Sequence, residues 1–105
     1  MTRLVLDTNG NPVPALRAGA ARKGTAGATS TRIGPFTDGI LIIEIYAAGD
    51  IRYQTGDANV TADGNSHFLA AGERIIRSLG IGPHTHLAIV RAGASDTAVE
   101  ISELE

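Results

Sequence analysis

Residues 68–103, FLAAGERIIRSLGIGPHTHLAIVRAGASDTAVEISE, decide the fold. The stretch reads as strand, tight turn, strand, turn, strand, with Gly72, Gly80, Gly82, Pro83 and Gly93 as the breaks. Ile75-Ile76 form a short strand flanked by Arg74 and Arg77. His86 to Arg91 is a central strand, and Val99 and Ile101 alternate with Glu100 and Ser102 in the last one, where Leu104 caps the core.

The same grammar extends towards the N-terminus. Ile40 to Tyr46, ILIIEIY, is bounded by Gly39 and Gly49 and reads as a second central strand. A period of two places Leu41, Ile43 and Ile45 on a purely apolar face and Ile40, Ile42, Glu44 and Tyr46 on the other. Ile51-Arg52-Tyr53-Gln54 alternates in the same way, with Ile51 and Tyr53 inward. Short strands about ten residues apart, separated by glycine-containing turns, predict an all-β chain. The expected class is a small antiparallel β-sandwich of jelly-roll or Ig-like size, with an extended N-terminal arm or hairpin.

That N-terminal part carries its own signals. Asn9-Gly10 sits between apolar runs and is a hairpin turn, because both residues tolerate positive φ. Pro12 and Pro14 remove backbone donors, so the return segment Ala15-Leu16 is expected as an edge strand or arm. Residues 18–31, AGAARKGTAGATST, are poor in large side chains. They predict an extended surface arm, or a segment ordered only against a partner. The expected division is therefore residues 1–35 as hairpin and basic arm and residues 36–105 as the sandwich body.

Composition narrows the function. The 105 residues make one small domain whose hydrophobic 43% contains 16 alanines, so the core is thin and docking on a larger body would help it. The absence of cysteine excludes disulfide frameworks, thiolate nucleophiles and Cys-type zinc sites. No apolar run approaches the ~20 residues of a membrane span. No basic-then-apolar leader opens the sequence, and the expectation is a soluble protein that stays where it is made. Net charge is −2, divided as +4 over residues 1–35 and −6 over residues 36–105. A basic leading segment on an acidic body points to an arm that contacts an acidic surface. Nucleic acid is not the expected partner, since the positive residues are dispersed and no aromatics interleave for base stacking.

The candidate chemistry is His84-Thr85-His86. On a strand the two imidazoles share a face, and with His67 as a third nitrogen they could chelate a transition metal, as in a cupin-like metal-dependent enzyme. A strand-borne Glu shortly after the pair is absent, the next carboxylate being Asp96. The competing reading places His84 in a proline turn and His86 half-exposed near a strand start, with water or carbonyl partners. No serine lies in a nucleophile-elbow context, and no glycine-rich phosphate loop carries a lysine. Glu100, Glu103 and Glu105 are expected as an exposed acidic edge. The expectation is a protein that is not an enzyme and holds no metal or other cofactor.

Ordered segments resemble a family of small head structural proteins of tailed phages and gene-transfer agents. They are Leu6-Asp7-Thr8-Asn9-Gly10, Ala28-Thr29-Ser30-Thr31-Arg32, Tyr46-Ala47-Ala48-Gly49-Asp50-Ile51 and Thr55-Gly56-Asp57, followed by His67-Phe68-Leu69-Ala70-Ala71-Gly72, His86-Leu87-Ala88-Ile89-Val90-Arg91-Ala92 and Val99-Glu100-Ile101-Ser102-Glu103. The resemblance covers about two-thirds of the chain and lies in order and spacing. It implies a virion protein of β-sandwich type, assembled in the host cytoplasm, that decorates or cements the capsid or forms a base for head fibres. The implied partner is the major capsid protein, with a second copy of the chain (as a trimer) or a head-fibre protein as further ones. No catalytic residue carries over, and the histidine pair is not a defining motif of that family. Joined to the charge division, this reading makes Arg3, Arg17, Arg22, Lys23 and Arg32 the expected capsid-binding residues.

Overall fold

A computed structural model describes residues 5–6, 12–13, 17–80 and 84–105. It is all-β. In chain order the strands are β1 (Val5–Leu6), β2 (Pro12–Val13), β3 (Ala18–Ala26), β4 (Thr31–Ile33), β5 (Ile42–Ala47), β6 (Ile51–Gly56), β7 (His67–Leu69), β8 (Arg74–Ser78), β9 (His86–Arg91) and β10 (Thr97–Leu104). β3-β10-β5-β8 make one four-stranded sheet and β4-β9-β6-β7 the other. Every pairing is antiparallel, as the alternating patterns predict. β1 and β2 form a separate two-stranded ribbon with Val5 opposite Val13. The Asn9-Gly10 turn and the Ala15-Leu16 return lie outside the described residues.

The core is the interleaf of the two inner faces. From β5 come Ile43, Ile45 and Ala47, from β6 Ile51 and Tyr53, from β9 Leu87 and Ile89, and from β10 Val99 and Ile101. These alternate with half-buried or exposed neighbours, as a period of two demands. Each fully buried Ile or Leu contributes about 1.5–3 kcal/mol of transfer free energy. Phe36, in the β4–β5 connection, packs on this core, its amide donating to the Thr85 carbonyl at 2.9 Å. Leu41, expected inside, is 48% exposed because β5 begins one residue later.

Two expectations are corrected. The division at residue 35 runs through the sandwich: β3 is the edge of one sheet and β4 of the other, and Ala26 and Ile33 belong to the core. The physical reason is room, not bulk. Gly24 faces inward on β3, and a Cβ there would sit 2.7 Å from Cδ1 of Ile33, so its missing side chain lets the two sheet edges close. The second concerns Glu103, expected on an exposed acidic edge. It is 1% exposed, because period two places it with Val99 and Ile101 on the inner face of β10.

Candidate functional site

The expected capsid-binding cations fall on one edge of the sandwich, except Arg3, which lies outside the described residues. β3 runs antiparallel to β10 with Lys23 opposite Glu100 and Arg22 opposite Ile101. This register sets the basic strand against the acidic one. Arg22 Nε donates to Glu103 Oε2 at 2.8 Å, Arg17 Nη2 reaches Glu105 Oε1 at 3.3 Å and Lys23 Nζ lies 3.6 Å from Glu100 Oε1. Three cations of the leading segment are thus paired with glutamates of the protein itself. Arg32, on β4, makes no ion pair among the described residues.

The Arg22–Glu103 pair differs in kind from its neighbours. Glu103 Oε2 also accepts the Thr37 amide at 3.0 Å, so one buried carboxylate joins β3, β10 and the β4–β5 connection. The Arg22 guanidinium lies 5.7 Å from the centroid of the Phe36 ring. Burial pushes the Glu103 carboxyl up, but hydrogen bonds from Thr37 and Arg22 and the guanidinium charge outweigh it and hold the group below 4.5.

Arg22, Lys23 and Arg32 meet in an open groove of about 470 Å³ along the β3/β4 seam, lined also by Ala21, Gly24 and Thr31. The groove runs beside an unused strand edge. In an antiparallel ladder each residue sends its N–H and C=O to one side, alternating along the strand. The Ala98 carbonyl accepts from Ala48 on the β5 side, and Glu105 exchanges both bonds with Arg17 on the other. Val99 and Ile101 therefore bond to Gly24 and Arg22, their partners on β3. Ala21, Lys23 and Thr25 direct their backbone groups outward, where no strand pairs with them among the described residues.

The histidines do not converge. His67 on β7 lies opposite Tyr53, on one side of β6, and His86 on β9 lies opposite Gly56, on the other. His84 Nδ1 is 3.1 Å from Thr55 Oγ1 and His86 Nδ1 is 2.8 Å from Thr85 Oγ1. Among the described residues no group of three or more His, Cys, Asp or Glu side chains is placed to hold a metal ion.

Sequence reasoning missed Glu103 as a structural node, although alternation from Val99 was signal enough to find it. It also missed β3 as an edge strand, for which alanine and glycine gave no propensity signal. Set beside known proteins, the chain matches no family model, no curated protein and no solved structure.

Proposed function

We propose that the protein is a virion structural protein that decorates or cements the outer surface of a tailed-phage head, with the major capsid protein as its partner. The ordered segments described above support this reading. The observation that carries it in the molecule is the nine-residue edge strand β3, whose outer backbone groups at Ala21, Lys23 and Thr25 have no strand partner among the described residues. Such an edge takes an extended segment of another chain as an added strand: main-chain hydrogen bonds hold it, and flanking side chains select it. Here Arg32, which has no ion pair among the described residues, supplies a positive charge beside that edge, which favours an acidic segment of a shell subunit. The role is adhesive, with no bond made or broken.

Thr25→Pro tests the contact. The lost amide faces outward and Gly24 precedes it, so the β3–β10 ladder and the melting temperature stay close to those of the parent. Co-sedimentation with heads assembled without this protein should fall sharply, and further when combined with Arg32→Glu. Full co-sedimentation of the double variant would overturn the edge as the contact.

A further inference from the structure

At the opposite margin of the sandwich the two sheets again end side by side, in β7 and β8, and the interleaf there turns polar. His67 lies opposite Tyr53 and so shares its inward face; Arg77 lies opposite Ile43 and shares the inward face of the other sheet. Thr55, two residues beyond Tyr53, and Ser78 complete the lining of a cavity of about 370 Å³. That is many times the ~10–15 Å³ that one water molecule needs. Arg77, His67, Tyr53 and Thr55 bring a guanidinium, an imidazole and two hydroxyls to it, and no carboxylate among the described residues lines it; the Ser78 side chain lies opposite Ile42 on the outward face, its Oγ accepting from the Gly80 amide at 3.1 Å.

The guanidinium is held in place. Arg77 Nε donates to Tyr53 Oη and Nη1 donates to the Ile76 carbonyl, both at 3.0 Å. Nη2 has no protein acceptor among the described residues, and no carboxylate there pairs with Arg77. Because Tyr53 Oη accepts from Arg77, its own proton is left to donate outward. Thr55 Oγ1 is 3.1 Å from His84 Nδ1, and the His67 ring lies 5.4 Å from the Tyr53 ring, centroid to centroid. A guanidinium fixed by two hydrogen bonds beside the Tyr53 and Thr55 hydroxyls, with no acid among the described residues to neutralise it, is the chemistry that takes a tetrahedral oxyanion.

We propose that the β7/β8 seam binds a phosphate or sulfate group through Arg77 and the hydroxyls of Tyr53 and Thr55. The site lies on the margin away from the β3 edge and stands independently of the capsid contact.

The test is titration of the full-length protein with sodium phosphate and with sodium sulfate at constant ionic strength, followed by amide chemical shifts, with sodium chloride as the control. Saturable shifts centred on Tyr53, Thr55, His67, Arg77 and Ser78 are expected with either oxyanion and not with chloride. Arg77→Met should weaken binding about tenfold or more, and Tyr53→Phe by less, while both spectra remain dispersed as in the parent. Parallel titrations with glucose 6-phosphate and glucose 6-sulfate decide the source. Binding as tight as that of the free ions supports a group carried by a larger molecule, and binding of the free ions alone supports an inorganic anion. Shifts spread evenly over all arginines, or an Arg77→Met variant that binds as the parent does, would overturn the proposal.

Discussion

The two margins of the sandwich are built from the same materials to opposite ends. At the β3/β4 margin the basic side chains of β3 meet glutamates of β10, and the seam is stitched by ion pairs that belong to the protein. At the β7/β8 margin Arg77 faces a tyrosine hydroxyl and a backbone carbonyl, with no acid within reach among the described residues. One margin spends its charge on holding two strands of one sheet and a connection together, and the other keeps a cation available. Net charge along a sequence does not distinguish these cases; strand register does, because it decides which cation lies beside which carboxylate.

The sharpest way to break this comparison is to remove the buried pair. Arg22→Ala leaves the Glu103 carboxylate enclosed with only the Thr37 hydrogen bond to offset its desolvation. Loss of one partner of such a pair costs about 3 kcal/mol or more, so urea unfolding should show a large fall in midpoint. Arg77→Met takes one hydrogen bond from the Tyr53 hydroxyl but leaves no charge enclosed without a partner, and should shift the midpoint far less. If the two variants lose the same stability, the distinction between a committed and an available cation fails.

How far this was legible in the sequence depended on whether a signal was local. The His86–Arg91 strand and the inward placement of Ile43, Ile45, Ile51 and Tyr53 follow from alternation alone, and the structure has them so. β3 was not legible, because its alanines and glycines carry little strand preference; β10 across the ladder makes it a strand. The mistaken boundary after residue 35 follows from that one omission. Glu103 was legible in principle, being two residues from Ile101, but nothing local signals that a carboxylate is buried, since the partners that satisfy it, Arg22 and Thr37, are distant in sequence. The Tyr53–Arg77 contact was beyond reach, since it joins strands of different sheets, and their facing is a property of topology and not of any window of sequence.

Acid sharpens the comparison further. Hydrogen bonds and the Arg22 charge hold the folded Glu103 carboxyl below 4.5, while in the unfolded chain it titrates at that ordinary value. The unfolded state therefore takes up the proton first as pH falls. The stabilisation is present above about pH 4.5 and is lost progressively as pH drops through the lower folded value. Glu103→Gln lacks this linkage. At neutral pH it should be less stable than the parent by about 2 kcal/mol, the scale of hydrogen bonds to a charged group. Urea midpoints measured from pH 7 down to pH 3 should bring parent and variant together below pH 4.5. A gap that stays constant over that range would mean the carboxylate's charge is not what the Arg22 and Thr37 contacts stabilise.

The smallest effect belongs to the neighbour of Arg22 on the same strand. Lys23 and Glu100 face outward, their side chains 78% and 51% exposed, and their 3.6 Å contact stands in water. Removal of such a pair by Lys23→Ala should cost less than about 1 kcal/mol. At about 1 M salt, where screening acts within ~3 Å, the difference from the parent should vanish. The Arg22→Ala deficit, by contrast, should persist in salt, because its carboxylate is enclosed. Adjacent residues on one strand, each paired with a glutamate of the same partner strand, would then differ severalfold in stability for one reason: which face of β3 each occupies. Equal losses, or a salt response shared by both, would show that the inward or outward register of β3 does not govern the energetics of its ion pairs.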